Sequence, residues 1–148
     1  MYAHILISTD GSELAQKGVD HGLSLAAELG SKVTIITVTE PSPVPSIGTS
    51  GRGMAGMDPD RVEDANTRHA KAILSAAKSA AENMELTVET LHIPNASPAT
   101  AIVDAAETQG CDLIVMASHG HRGIMRAMLG SRTAEVLATA HLPVLVIH

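Results

Sequence analysis

The residues between Gly120 and Thr133 have the types and spacing that bind phosphate groups. An apolar run ends at Ala117, a loop containing glycines follows it, and helical spacing resumes at about Ser131. Glycines let the backbone approach a phosphate closely, hydroxyl side chains donate hydrogen bonds, and the N-terminus of a helix carries partial positive charge. The pattern therefore predicts that this loop binds an anion.

The distribution of charge favours the same prediction. The chain has a formal net charge of -6, yet residues 113–134 contain no Asp or Glu and hold three of the ten Lys and Arg residues, namely Arg122, Arg126 and Arg132. An acidic protein that gathers arginines on one glycine-rich loop is suited to binding an anion there. The alternative is an ordinary strand–loop–helix connection, with Ser131 as the helix cap and with solvated arginines.

Asp10 lies in the turn Thr9-Asp10-Gly11, which directly follows the first apolar run. A short polar side chain at this position often stabilises the backbone of its own turn. The carboxylate can also contact a ligand beyond the end of the strand. Both interpretations of Asp10 remain open, and the two roles can coexist.

The motifs of several enzyme classes are missing. No lysine precedes Ser131 as in a P-loop, no GxGxxG follows the first strand, and no paired carboxylates or Ser–His–acid set is evident. His119 and His121 have neither a nearby carboxylate nor the helical spacing of a metal site, so we expect exposed loop histidines. We therefore expect no enzymatic activity, with slow hydrolysis of a bound nucleotide as the alternative.

Five apolar runs alternate with helical patterns along the chain. The predicted strands cover residues 4–8, 33–38, 86–93, 112–117 and 142–147. Most are continuous apolar runs, which indicates a parallel sheet covered on both faces, whereas residues 86–93 alternate as in an edge strand. We predict an α/β fold with a single doubly wound (Rossmann-like) five-stranded parallel sheet and helices on both faces. The turns after the first and fourth strands should then face one crevice at the switch point.

Local signals indicate where the predicted helices begin and end. Ser12 is a predicted N-cap, Gly30 a helix stop, and Asp58-Pro59 and Ser97-Pro98 each combine a capping residue with a proline. The first helix has an apolar spacing that includes the following residues: Leu14, Ala15, Val19, Leu23, Ala26, Ala27 and Leu29. The second has this predicted apolar face: Val62, Ala65, Ala72, Ile73, Ala76, Ala80 and Met84.

Length and composition narrow the class of protein. The 148 residues fit one domain, residues 1–148, in which residues 40–57 form a flexible loop by composition. Aromatic residues make up only 1 % and the charge is acidic, which argues against nucleic acid as a partner. Cys111 is the only cysteine, so no disulfide can form within the chain. It stands at the start of an apolar run, so we expect it to behave as a small buried hydrophobic residue. Neither a signal peptide nor a run of transmembrane length is evident, so we expect a soluble cytoplasmic protein without a membrane partner.

These motifs together resemble the universal stress protein family. Its ATP-binding members carry a C-terminal motif of Gly, two residues, Gly, nine residues, and then Gly followed by Ser or Thr. Gly120, the nine residues 121–129 and Gly130-Ser131 match the second half of this motif, whereas Ala117 replaces the first glycine. The opening ILISTDGS and the ending LPVLVIH also resemble the family, so the likeness covers essentially the whole chain.

The resemblance implies that a nucleotide lies across the ends of the strands. Its adenine and ribose would lie near Thr9, Asp10 and the backbone of Val38. The path from ribose to phosphate would be lined by Met116, Ala117 and Gly120. The phosphates would bind at Gly130, Ser131, Arg132 and Thr133. The implied cofactor is ATP, with or without Mg²⁺.

The resemblance also implies a homodimeric, nucleotide-responsive regulator of stress resistance that acts on a protein partner not identified by the sequence. We expect the final strand to be an edge that pairs with its copy in a second chain. A scaffold dimer that binds no nucleotide is one alternative, since Ala117 departs from the motif. Another adenine nucleotide, such as AMP or cyclic AMP, is a further alternative, because a glycine-rich loop does not select the number of phosphate groups on its ligand.

Overall fold

The structure, a computed structural model, describes residues 1–41, 59–120 and 128–148. In chain order its strands and helices are β1 (His4–Ser8), α1 (Glu13–Leu29), β2 (Lys32–Val38), α2 (Pro59–Asn83), β3 (Val88–Ile93), α3 (Pro98–Thr108), β4 (Leu113–Ala117), α4 (Ser131–Thr139) and β5 (Val144–Ile147). The predicted cap at Asp58, most of the predicted 40–57 loop, and the predictions for His121, Arg122 and Arg126 lie outside the described residues.

The strands form one parallel sheet in the order β3-β2-β1-β4-β5. The chain winds outward from β1 through β2 to β3, then crosses back to β4 and continues to β5. The direction of winding therefore reverses between β1 and β4, which is the switch point of a doubly wound sheet. β3 and β5 are the edges of the sheet that the described strands form. This arrangement confirms the predicted fold class.

Two aliphatic cores lie on opposite faces of the sheet, because successive strand residues point to opposite faces. Ile5 and Ile7 pack with the buried residues of α1 and α2. Leu6, Ile114 and Met116 pack with those of α3 and α4. Helices thus cover both faces, as predicted. Within the described ranges, no helix is both long and apolar enough to cross a membrane.

The sequence pattern placed the buried faces of the first two helices incorrectly in part. On α1, Ala27 and Leu29 are exposed, whereas Gly18 and Gly22 are buried. A Cβ atom at Gly22 would collide with Ile7, so this glycine lets α1 approach the sheet closely. On α2, Ala65, Ala72 and Ala76 are exposed, and the following residues are buried instead: Ala70, Leu74, Ala77 and Ala81. Met84, predicted on the same face, lies just beyond the end of α2 and is exposed. Adjacent alanines make two faces of α2 equally apolar, so periodicity could not choose between them.

Most of the predicted helix ends are confirmed. The Ser12 hydroxyl accepts a hydrogen bond from Ala15 N–H at 3.2 Å, and Gly30 ends α1 in a left-handed conformation with φ of 68°. Ser97 is the N-cap of α3, but its side chain makes no capping hydrogen bond. The N-cap of α4 is Gly130, so the interpretation of Ser131 as the capping residue is wrong.

Candidate functional site

The turns after β1 and β4 meet at the switch point, as the sequence predicted. Asp10 Oδ1 accepts a hydrogen bond from Ser12 N–H at 2.9 Å, which confirms its role in the turn, and Gly11 has a φ of 80°. A Cβ atom at Gly120 would collide with the Asp10 carboxylate. Glycine at position 120 therefore lets the two turns come together.

The first turn of α4 is held tightly against the end of β4. Gly130 N–H donates to Ser118 C=O at 2.8 Å, and a Cβ atom at Gly130 would lie 3.1 Å from His119 Cα. The buried Thr133 hydroxyl donates to Ala117 C=O at 2.9 Å. Thr133 therefore uses its hydroxyl proton within the fold, and only its backbone N–H is left to serve an anion.

These turns enclose a cleft with two adjoining compartments. The inner compartment encloses about 480 Å³ when the open space at its mouth is included. It is lined by Ser8, Thr9, Asp10, Ala15, Val38, Pro98, Ile102, Met116, Ala117, His119, Gly120, Arg132 and Thr133. The outer compartment shares part of this lining and adds Glu40, Ser97, Gly130, Ser131 and Glu135. All ten residues that the sequence analysis selected thus lie on the cleft.

Several lining residues were missed by the sequence analysis or expected elsewhere. Pro98 and Ile102 belong to α3 and enter the cleft because this helix packs beside the end of β2. His119 is half-buried in the cleft, with its Nδ1 atom 3.3 Å from the Ser118 hydroxyl, although we expected an exposed loop histidine. Glu40 carries no local signal, because only the tertiary fold brings it to the cleft.

One end of the cleft presents an unpaired stretch of backbone at Val38. Thr9 N–H donates to Ile36 C=O, and Thr39 N–H donates to Ile93 C=O on the other side of β2. Because these bonds alternate between the two neighbouring strands, the N–H and C=O of Val38 point toward β1, which has already ended. Neither group has a hydrogen-bond partner among the described residues. They form an open donor–acceptor pair.

The other end of the cleft is the N-terminus of α4. The N–H groups of Ser131, Arg132 and Thr133 have no hydrogen-bond partner in the described part of the chain. Their N-cap residue is Gly130, which has no side chain that could accept from them. Three N–H groups and the positive end of the helix dipole therefore point out of the first turn, an arrangement that favours an anion.

The cleft contains more negative than positive side chains among the described residues. Asp10, Glu40 and Glu135 are acidic, and Arg132 is the only Lys or Arg among the described lining residues. Arg132 Nη2 lies 2.7 Å from Glu40 Oε2. The arginine that the sequence analysis assigned to phosphate is thus already paired with a carboxylate.

Ala117, which replaces the first glycine of the family motif, does not have a left-handed backbone. It pairs with Ile147 across β4 and β5, and Ile147 belongs to the core on the α1 side of the sheet. Cross-strand neighbours share a face, so the methyl group of Ala117 is directed toward α1. On that side α1 passes close to β4 at Gly18, where an added Cβ atom would be in ordinary contact with Ala117 N at 3.5 Å.

A model of the universal stress protein family matches residues 1–148. The chain belongs to the universal stress protein family. Universal stress protein MJ0531 of Methanocaldococcus jannaschii is 31 % identical over 147 residues, which cover 99 % of this chain and 82 % of that protein. The resemblance inferred from the sequence is therefore confirmed.

Solved structures show the same fold. The structure of hypothetical protein MJ0577, also from Methanocaldococcus jannaschii, superposes with a TM-score of 0.81 at 27 % identity and covers 99 % of this chain and 96 % of that one. A universal stress protein solved in complex with cAMP has a TM-score of 0.72 at 25 % identity and covers 99 % and 97 % of the two chains. Some members of the family with this fold therefore bind an adenine nucleotide.

Proposed function

We propose that this universal stress protein binds an adenine nucleotide across the carboxyl ends of β1, β2 and β4, and that its ligand is ATP, with or without Mg²⁺. The observation that carries the proposal is one cleft whose two ends present backbone groups without a hydrogen-bond partner among residues 1–41, 59–120 and 128–148. At the switch point of a doubly wound sheet, these groups stand where such folds bind their ligands.

The backbone of Val38 supports adenine as the base. The Watson–Crick edge of adenine carries an amino donor beside a ring-nitrogen acceptor, and the C=O and N–H of Val38 are their complements. Ile102 and Met116 add apolar surface to the same compartment. Binding at Val38 would thus satisfy two backbone groups that have no partner in the described part of the chain.

The N-terminus of α4 supports a phosphate-bearing ligand. In this proposal the N–H groups of Ser131, Arg132 and Thr133 hold phosphate oxygens, while Gly120 and Gly130 allow the close approach of the backbone. The solved relative in complex with cAMP makes a monophosphate a second candidate, because one phosphate can occupy the same helix terminus.

We further propose that residues 1–148 form a single cytoplasmic domain that acts as a homodimeric, nucleotide-responsive regulator of stress resistance. Among the described residues β5 pairs with β4 alone and forms an edge of the sheet, and Leu145 on it is 37 % exposed. An exposed apolar edge strand is suited to pairing with a second copy. Nucleotide occupancy would then alter binding of a protein partner.

Two experiments on the purified protein test the proposal. Small molecules released by denaturation are identified by mass spectrometry, and ligand-free protein is titrated calorimetrically with ATP and Mg²⁺, with AMP and cAMP, and with CTP as the base control. We expect co-purified adenine nucleotide or micromolar affinity for ATP, and at least about tenfold weaker binding of CTP. If no nucleotide is released and no heat of binding is measured, the scaffold alternative is favoured. If the protein releases ADP over many turnovers, the slow ATP hydrolase is favoured.

A further inference from the structure

Glu40 holds Arg132 in an ion pair at the outer compartment of the cleft. The Glu40 Oε2 atom lies 2.7 Å from Arg132 Nη2, and the two side chains are 38 % and 36 % exposed. Glu40 follows β2 by two residues, whereas Arg132 is the second residue of α4. The pair therefore connects the strand end proposed to bind the base with the helix end proposed to bind phosphate.

An exposed pair of this kind adds little to the stability of a fold. Its effect on an anionic ligand is larger, because Arg132 is the only Lys or Arg among the described residues that line the cleft. A guanidinium group is always charged and presents its donors in a planar fork that fits carboxylate and phosphate alike. The Glu40 carboxylate and a phosphate group consequently compete for the same donors.

Resting on the nucleotide-binding function proposed above, we propose that Glu40 determines specificity by opposing ligands that carry phosphate. A phosphate group that reaches the N-terminus of α4 exchanges for the Glu40 carboxylate at Arg132. The displaced carboxylate stays in the outer compartment and repels the phosphate through space. An uncharged nucleoside binds near Thr9, Asp10 and Val38 and carries no phosphate to the N-terminus of α4, so Glu40 does not change its affinity. Glu40 thus narrows the difference in affinity between a nucleotide and its nucleoside.

Glu135 provides a matched control for this proposal. It lines the same outer compartment and carries the same charge, but it is exposed and has no ion-pair partner among the described residues. Replacing either glutamate with glutamine removes one negative charge from the compartment and preserves the shape of the side chain. Only Glu40→Gln also releases Arg132.

The experiment is calorimetric titration of the wild type, Glu40→Gln and Glu135→Gln with adenosine, AMP and ATP at low and high salt. We expect Glu40→Gln to raise the affinity for ATP about fivefold, with adenosine unchanged within about twofold. Glu135→Gln should change neither affinity by more than about twofold. High salt should reduce the gain in Glu40→Gln, because it screens exposed charges. Glu40→Ala must change the ATP affinity in the same direction.

The outcomes separate this proposal from the function on which it rests. If the wild type binds ATP but Glu40→Gln binds it equally or more weakly, Glu40 does not oppose phosphate and the nucleotide-binding function stands. An equal gain for adenosine, or an equal gain in Glu135→Gln, also overturns the role of Glu40. If no variant binds adenosine, AMP or ATP, both proposals are wrong.

Discussion

The amino and carboxyl ends of the parallel strands differ in how their polar groups are paired. At the amino ends, Asp112 accepts hydrogen bonds from the N–H groups of Ala3 and His4 at 2.9 and 3.1 Å. His4 Nε2 lies 2.8 Å from the Thr34 hydroxyl, and Asp112 N–H donates to His4 C=O. At the carboxyl ends, by contrast, Val38 and the first turn of α4 offer N–H groups without partners among the described residues.

This difference separates polar groups that stabilise the fold from those available to a ligand. At the amino ends, side chains satisfy the backbone groups, and these hydrogen bonds contribute to the free energy of unfolding. Where backbone groups stay open, a ligand that pairs with them stabilises the folded state only when it is present. Substitutions at the amino ends should therefore change stability alone, and substitutions at the carboxyl ends should change affinity most.

Gly130→Ala should produce the largest effect. The new methyl group would lie 3.1 Å from His119 Cα and 3.3 Å from Ser118 C=O, and neither backbone atom can move easily. α4 would have to shift away from β4 and take its three N–H groups with it. We expect calorimetry to show about thirtyfold weaker ATP binding, equivalent to about 2 kcal/mol.

Gly110→Ala is the control for this substitution at the opposite end of the sheet. Gly110 has a φ of 70° and no neighbour within 4 Å of an added Cβ atom. The substitution should lower the free energy of unfolding by about 1 kcal/mol through backbone strain, with no change in ATP affinity. Equal losses of affinity in both variants would contradict the contrast between the two ends.

Asp112→Asn tests the hydrogen bonds at the amino ends of the strands directly. An asparagine can accept through one side-chain oxygen only, so one of the N–H groups of Ala3 and His4 loses its partner. We expect urea unfolding to show a loss of about 1 kcal/mol, while ATP affinity stays unchanged. Asp104→Asn, on the exposed face of α3, should change neither quantity. A loss of ATP affinity in Asp112→Asn would show that the two ends are coupled.

The pH dependence of stability should reveal His4. Burial, and then the nearby charge of Lys32, lower the pKa of His4 below its ordinary value of 6.5. Between the lowered pKa of the folded protein and 6.5, the unfolded chain binds more protons than the folded protein does. The free energy of unfolding is therefore highest above about pH 6.5 and falls as the pH drops toward the folded pKa. We therefore expect the free energy of unfolding to fall from pH 7 to pH 5.

His4→Gln should reduce this slope. Burial also lowers the pKa of His92, so His92→Gln should remove a second part of it. Asp112 contributes nothing to the slope of stability with pH in this range. Burial acts to raise its pKa, but the N–H donors of Ala3 and His4 hold it below 3.8, so its contribution is lost only at lower pH. An unchanged slope in both histidine variants would contradict the assignment.

Ala117→Gly should have the smallest effect. The methyl group is directed toward α1 and the backbone is not left-handed, so restoring the glycine of the family motif should change ATP affinity by less than about twofold. The free energy of unfolding should fall by about 0.5–1 kcal/mol, because glycine gains more freedom in the unfolded chain. A large gain in affinity would instead favour the alternative that Ala117 marks a lost site.

The sequence predicted the features that depend on local patterns. Continuous apolar runs located the strands, and Ser12 and Gly30 marked the ends of α1, because strand burial and helix capping depend on a few neighbouring residues. α2 is different: its paired alanines leave the buried face undetermined until tertiary packing selects Leu74.

The positions of the candidate site residues could also be predicted, but their partners could not. The family resemblance predicted that Thr9, Val38 and Gly130 belong to the site, and all three line the cleft. The ion pair of Glu40 and Arg132 joins residues 92 positions apart, so no local pattern announces it. Likewise, only the fold reveals that the Thr133 hydroxyl donates to Ala117.

The most direct test of the central claim is an NMR titration of the ¹⁵N-labelled protein with ATP. If the open carboxyl ends bind the nucleotide, the backbone amide signals of Val38, Ser131 and Thr133 should shift, while those of Ala3 and Lys32 should not. Adenosine should shift the amide signal of Val38 and leave those of Ser131 and Thr133 unchanged. No shift at saturating ATP, or shifts centred on the amino ends, would contradict the account.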